Sequence, residues 1–204
     1  MKTQVENNLW NRSSPHLEKG KPHIENEMQD YIDLAEKNGV ILINSGTCQF
    51  CGSNTTRGIH ECMEIFNLGF QDNDYLKIEN QVYRFLIVDA HSLQHPEIHG
   101  RWNNHFHLTR LHLIFKYKVT WTYKLSPKLS DYLNTYKVQN QNEYLNPPKA
   151  LQRGNITASD ILEKPRSEAE KKEWLTKWAL EVYDIWRPNH AVVDEIAKDF
   201  LSLT

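Results

Sequence analysis

The stretch NSGTCQFCGS (residues 44–53) places Cys48 and Cys51 on either side of a two-residue turn and follows them with Gly52. The third cysteine of the chain, Cys62, comes eleven residues after Cys51. Zn²⁺ takes four ligands in a tetrahedron and favours Cys thiolates and His nitrogens. A glycine relieves the backbone where two thiols converge on one ion. The pattern therefore predicts a zinc site with three cysteine ligands and a fourth ligand from elsewhere in the chain.

The same cysteine pattern has two interpretations other than a metal site. Free cysteines are often small buried core residues, and a Cys-x-x-Cys pair can be a redox site. The redox interpretation calls for a pair at a strand-to-helix junction, and residues 53–58 do not have the pattern of a helix start. A close third cysteine favours a bound metal over both alternatives.

The fourth ligand should be a histidine, and the chain has ten. His95 stands directly before Pro96, at the predicted end of a helix, where its side chain can point into a shared pocket. His91 lies one helical turn earlier, so both rings could face one metal. The other candidates for the fourth position are His60, His107, His190 and a water molecule.

Length and composition limit the class of protein. The 204 residues, with 39% hydrophobic residues and a mean hydropathy of −0.67, suit one polar globular domain. The sequence has no run of about 18 apolar residues, so it predicts no membrane span. Residues 1–21 lack the apolar segment of a signal peptide. Three cysteines in such a chain are expected to be reduced, which predicts a cytoplasmic protein. A net charge of −2 gives no general electrostatic argument for nucleic-acid binding.

Hydrophobic spacing predicts a mainly α fold with a small zinc knuckle and a short β element within residues 40–62. The apolar, β-branched run VILIN (40–44) predicts a strand that leads into the cysteine turn. Residues 1–23 are polar and turn-rich, which predicts a flexible or extended arm, and residues 24–204 are predicted to form one helical zinc-binding domain. Helices are predicted after Cys62 and over residues 24–37, 79–94, 104–117, 118–138, 160–164, 167–187 and 190–203.

Several local signals support individual helices. Thr157 and Asp160 have the spacing of a capping box, and Ser167 can cap the longest helix. Along that helix Trp174 and Trp178 begin an i, i+4 series that continues through residues 182 and 186 and predicts a core-facing stripe.

The cysteine pattern is followed by four further motifs in a fixed order: DAHSLQHP (89–96), HLTRLHL (107–113), LNPPKALQRGNITASD (145–160) and WLTKWALEVYDIWRPNH (174–190). Together they resemble an uncharacterised bacterial family over roughly residues 45–195. The resemblance implies a site and no activity. The site residues that it implies are Cys48, Cys51, Cys62, His95, His107 and His190. At the position of His91 the family usually has Tyr, which favours His95 as the fourth ligand.

Two functional hypotheses follow. Three cysteines and one histidine fill all four zinc positions, and closed zinc sites are structural, so the first hypothesis is a zinc-stabilised helical module that binds a protein partner not identified by the sequence. The alternative is a zinc-dependent hydrolase or nuclease in which His95 or His107 acts near the metal. An HNH-like nuclease is disfavoured because the WNNHFH stretch lies in a predicted continuous helix.

Nucleic-acid binding is a third hypothesis, because basic and aromatic residues interleave in the middle of the chain. A solvated helix face with core aromatics explains the same pattern, and we favour that explanation. The residues concerned are Arg101, Trp102, Arg110, Lys116, Lys118, Trp121, Tyr123, Lys124 and Lys128.

Overall fold

The computed structural model describes residues 22–70 and 80–203, with side chains from Met28 onward. Within these ranges the chain forms helices and no β-sheet, which confirms the mainly α class. None of these helices combines the length and apolarity needed to cross a bilayer. The described residues contain eight α-helices, which are α1 (Pro22–Lys37), α2 (Gly58–Gly69), α3 (Gln81–Gln94), α4 (Arg101–Phe115), α5 (Leu125–Gln139), α6 (Ala158–Glu163), α7 (Glu168–Ile185) and α8 (His190–Ser202), and short 3₁₀ turns cover Pro96–Ile98 and Arg187–Asn189.

The predicted arm over residues 1–23 lies almost entirely outside the described residues. Its last two residues, Pro22 and His23, begin α1. Helix α1 ends at Lys37, and Gly39 follows with a φ of 72°, a left-handed conformation that glycine adopts without strain.

The predicted caps of the C-terminal helices are confirmed. Thr157 and Asp160 form a reciprocal capping box at the start of α6, and the Ser167 hydroxyl accepts a hydrogen bond from the Glu170 amide at the start of α7. These bonds satisfy amides that have no partner within the helix.

The strand predicted over residues 40–44 does not form. The Gln49 side chain takes the place of a partner strand, since it accepts a 2.5 Å hydrogen bond from the Ile43 amide and donates a 3.0 Å bond to the Ile41 carbonyl. The nearest β pairing in the described residues is one isolated bridge between Gly46 and Arg57. A side chain can thus satisfy the backbone N–H and C=O groups of an extended segment locally. The hydrophobic pattern of the sequence does not reveal such side-chain hydrogen bonds.

The helix predicted over residues 118–138 begins later than expected. Three residues after the end of α4, Lys118 has a φ of 56°, which is not a helical conformation. The Val119 amide then donates a hydrogen bond back to the Leu113 carbonyl at 3.0 Å. Helix α5 starts at Leu125, so Pro127 stands in its first turn. A proline is tolerated there because the amide that it lacks would have no helical partner.

Helix α3 lies at the centre of the packing, against α4 and α7, while α4 also packs on α5 and α8. The predicted aromatic stripe of α7 is core: Trp178 and Trp186 are fully buried, and Trp174 packs at its margin. A separate cluster contains the three cysteines and lies where α1, α2 and the Pro96–Ile98 turn meet. Its other buried members are Ala35, Phe50, Ile59, Met63 and Ile98.

Candidate metal centre

The turn at Cys48–Ser53 directs two sulfurs to the same side. The Gly52 amide donates to the Cys48 carbonyl at 2.9 Å, and the Cys48 amide donates to the Ser53 carbonyl at 3.0 Å. The Ser53 amide also points at the Cys51 sulfur, 3.4 Å away. Gly52 has a φ of 77°, so the tight turn needs the glycine that follows the second cysteine.

Cys62 reaches this turn from the first part of α2. The loop that joins them is closed by two 2.9 Å backbone bonds, from Gly46 to the Thr56 carbonyl and from Gly58 to the Gly46 carbonyl. The Glu61 carboxylate accepts hydrogen bonds from the Thr56 amide, at 2.7 Å, and from the next amide along the chain. The helix therefore starts in a fixed orientation that turns Cys62 inward.

His95 completes the cluster from the C-terminal end of α3. Its Nδ1 lies 2.7 Å from the carbonyl oxygen of His91, and since a carbonyl only accepts, Nδ1 carries the proton of this bond. Nε2 is thereby turned to the sulfurs, at 3.5 Å from both Cys48 and Cys62. A backbone partner that fixes the other ring nitrogen is the usual outer contact of a metal-binding histidine.

The four ligand atoms of Cys48, Cys51, Cys62 and His95 all lie within 4.8 Å of one another, and all four residues are buried. The Cys51 and Cys62 sulfurs are 3.6 Å apart. A tetrahedral zinc site with ordinary bond lengths has S–S edges of about 3.8 Å and S–N edges of about 3.6 Å. The cluster therefore has the donors and the dimensions to hold a metal ion.

The buried thiols of the cluster differ in how readily they ionise. Hydrogen bonds from Cys51 and Cys62 hold the pKa of Cys48 well below its ordinary value, whereas hydrogen bonds to Cys48 and Cys51, together with burial, raise the pKa of Cys62. Burial lowers the pKa of His95, but the charge on Cys51 and the hydrogen bond with Cys48 outweigh it and raise that pKa to about 10. Because adjacent thiolates repel, a cation is required for all three thiols to ionise together.

The other candidate histidines have different partners. His107 Nδ1 lies 2.7 Å from the Asp89 carboxylate, and His190 Nε2 donates to the Tyr183 carbonyl at 2.9 Å. His91 remains close, since its ring stacks on that of His95 with centroids 4.2 Å apart. Within the described part of the chain, His95 is the histidine that joins the cysteine cluster.

A buried hydrogen-bond network behind His95 was not predicted, although its residues lie in the QHP and GNIT motifs or next to them. The Gln94 side chain donates to the carbonyls of Arg153, at 3.2 Å, and Ile156, at 2.9 Å. Arg153 is buried and donates to the Glu97 carboxylate and to the Gln94 carbonyl. The QHP and GNIT stretches thus meet directly beside the cluster. Nothing in the sequence marked Gln94, the residue before His95, as part of a hydrogen-bond network.

The basic and aromatic residues of the nucleic-acid hypothesis are divided between core and surface. Arg110 is buried, forms an ion pair with Asp89, and lies over the rings of Phe85 and Phe106. Trp121 is 1% exposed. The four lysines of the set are exposed, and its other three members are half-buried. Arg110 and Trp121 therefore belong to the core and are not available to contact nucleobases.

The sequence profile of a family of unknown function (DUF5946) matches residues 46–187, a range that contains all four residues of the cluster and ends before His190. No curated protein and no solved structure gave a significant match.

Proposed function

The chain belongs to a family of unknown function (DUF5946), and from this premise we propose that it is a zinc-stabilised helical protein. One Zn²⁺ is bound by Cys48, Cys51, Cys62 and His95 and has a structural role. The observation that carries the proposal is the burial of all four ligands within one tetrahedral-sized cluster. The residues 24–204 then form one helical domain around this ion.

The donor set favours zinc. Three thiolates and one imidazole are soft and borderline ligands, which suit Zn²⁺ and disfavour Mg²⁺ or Ca²⁺. The separations of 3.5 Å between Nε2 of His95 and the sulfurs of Cys48 and Cys62 agree with the edges of a zinc tetrahedron. Such a site needs reduced thiols, in keeping with the expected cytoplasmic location.

The closure of the site favours a structural role over a catalytic one. A catalytic zinc keeps a position for water or substrate, whereas here four protein ligands are available. The Phe50 ring lies edge-on against His95, with centroids 5.9 Å apart, and is itself buried among the cysteines. The alternative of a zinc-dependent hydrolase or nuclease requires either His95 to leave the metal and act as a base, or a ligand position to open and His107 to leave its bond with Asp89.

The zinc ion would connect three parts of the chain that also meet in one buried hydrophobic cluster. It would join the cysteine turn, the start of α2 and the end of α3, so metal binding would contribute folding free energy directly. The segment before the turn exposes apolar side chains, with Ile41 87% and Ile43 50% exposed. We assign to this segment the protein-binding role of the module, because contiguous exposed apolar surface commonly marks an interaction site.

The test is the metal content of the natively purified protein, measured by elemental mass spectrometry on the wild type, His95→Ala and His60→Ala. We expect one zinc per chain in the wild type, the same in His60→Ala, and at least a tenfold loss of zinc affinity in His95→Ala. His60 is the matched control because it lies two residues from Cys62 and outside the cluster. A wild type without metal would overturn the proposal. Full zinc affinity in His95→Ala would move the fourth position to another ligand or to water and would favour the enzyme.

A further inference from the structure

The exposed segment 40–44 is held by a side chain of the cysteine turn. Gln49 stands between the two cysteines of that turn. Its side-chain oxygen accepts a 2.5 Å hydrogen bond from the Ile43 amide, and its side-chain nitrogen donates a 3.0 Å bond to the Ile41 carbonyl. One amide group therefore bridges two backbone groups that point to the same edge of the extended segment.

The helix that carries the third cysteine holds the same segment. The Ile59 amide, in the first turn of α2, donates a hydrogen bond to the Ile43 carbonyl at 3.3 Å. Among the described residues, the backbone groups of residues 41–43 form no hydrogen bonds other than those to Gln49 and Ile59. Both partners lie in the stretch 48–62, between the first and the last cysteine. The hydrogen bonds of the segment therefore all end on the loop that carries three of the metal ligands.

The side chains of the segment divide between two faces. Val40 and Leu42 are partly buried and pack against the hydrophobic cluster that contains the three cysteines. Ile41 and Ile43 are exposed, as the alternation of an extended chain requires. Apolar side chains are driven out of water, so a segment released from its hydrogen bonds would not keep both isoleucines exposed. The backbone bonds to Gln49 and α2 are what keeps this face presented to solvent.

We infer that the metal centre controls the conformation of segment 40–44 through Gln49, so that the exposed isoleucines are presented by the metal-loaded protein and not by the metal-free protein. This inference rests on the proposed structural zinc. Gln49 bridges the segment only while the cysteine turn keeps its backbone in place, and the start of α2 is fixed in the same way through Cys62. In the metal-free protein adjacent thiolates repel one another, and the loop loses the free energy that metal binding contributes.

The role of Gln49 can be separated from that of the ligands. Its side chain is not one of the four metal ligands, and the hydrogen bonds that form the turn are made by other residues. One of them is the 2.9 Å bond from the Gly52 amide to the Cys48 carbonyl. The Gly52 amide therefore reports whether the turn is formed, and the Ile43 amide reports whether the turn holds the segment.

The experiment measures amide hydrogen exchange by NMR in the zinc-loaded protein, before and after chelation, and in zinc-loaded Gln49→Ala. Chelation should speed exchange at Ile43 and Gly52 at least tenfold, while the amides in the middle of α7 stay protected. Gln49→Ala should bind one zinc and keep Gly52 protected, but Ile43 should exchange at least tenfold faster than in the wild type. Gln139→Ala, at an exposed glutamine of α5, is the matched control and should exchange like the wild type.

The outcomes separate this inference from the proposed structural zinc, because the metal content of each sample is measured as well. Unchanged exchange at Ile43 after chelation, or in zinc-loaded Gln49→Ala, would overturn the coupling and leave the zinc site in place. Equal loss of protection at Ile43 and in α7 on chelation would mean global unfolding and would also overturn the coupling. A wild-type protein that binds no zinc would overturn the proposed function, and this inference with it.

Discussion

The indole nitrogen of Trp178 donates a 3.1 Å hydrogen bond to the side-chain oxygen of Gln94, the residue directly before His95. The amide nitrogen of the same glutamine donates to the carbonyls of Arg153 and Ile156. One fully buried side chain therefore joins α7, the turn before α6 and the end of α3 that presents the histidine of the cluster. The position of His95 therefore depends on contacts with residues that lie far from the cysteines in the sequence.

Gln94→Ala should destabilise the protein by about 2–4 kcal/mol, because it leaves an indole N–H and two carbonyls buried without partners. Urea unfolding followed by tryptophan fluorescence measures the loss. Gln152→Ala, at an exposed position, is the matched control and should change stability by less than about 0.5 kcal/mol. Equal effects of the two substitutions would show that the buried amide does not hold these segments together.

Cys51→Ser should lower both the zinc content and the melting temperature, since a structural zinc site contributes its binding free energy to folding. Serine keeps the size of the side chain but is a poor zinc ligand. The control is the wild-type protein stripped by a chelator, which should melt close to the mutant. Wild-type melting together with full metal content in Cys51→Ser would contradict a structural role for the cysteine cluster.

The cluster could be predicted from sequence because its spacing is local. Cys48 and Cys51 converge through one turn, and Cys62 follows within a short loop. These three ligands could therefore be predicted without knowledge of the fold. His95 was separable from nine other histidines only through the QHP stretch and the helix end before Pro96. The helices were predicted because a period near 3.6 is imposed by one-sided burial, as α7 shows.

The features that escaped prediction depend on contacts between distant segments or on single side chains. The extended segment 40–44 has the composition of a strand, but Gln49 satisfies its backbone instead of a second strand. His105 on α4 lies 3.4 Å from the carboxylate of Glu143, which follows α5, and no local pattern encodes this contact between residues 38 positions apart.

Gly58 begins α2 with a φ of 55°, and a Cβ at this position would collide with the backbone carbonyl of Ile43. Gly58→Ala should therefore destabilise the protein by about 1–3 kcal/mol through strain, with further loss from displaced backbone, and should weaken metal binding through Cys62. Gly100→Ala is the matched control, since Gly100 has a φ of −68° and a Cβ there meets no atom within 4 Å. Chemical unfolding and zinc content of the two variants measure the difference. Similar values for both would rule out the collision as a constraint on the cysteine loop.

Asp194 on α8 has three donors at or just after the end of α4 and a fourth, Lys198, on its own helix. Its Oδ1 accepts from Lys116 at 2.5 Å, Tyr117 at 2.7 Å and His112 at 2.9 Å, and its Oδ2 lies 2.9 Å from Lys198. The hydrogen bond from Lys116 is the largest cause that holds the pKa of Asp194 well below its ordinary value, with smaller contributions from the other donors, against an opposing effect of burial. The folded state therefore favours the ionised carboxylate more than the unfolded chain does.

A depressed folded pKa contributes stability that is present above the unfolded pKa, about 3.9 for Asp, and is lost as the pH falls from there toward the folded pKa. Asp194→Asn should therefore be less stable than the wild type at pH 5–7, and the gap should narrow below about pH 4. Urea unfolding of both proteins over this pH series tests the prediction, and loss of metal in acid affects both alike. Asp131→Asn, at an exposed residue of α5, is the control and should differ little from the wild type at any pH. A gap for Asp194→Asn that stays constant from pH 7 to pH 3 would mean that the carboxylate charge does not contribute.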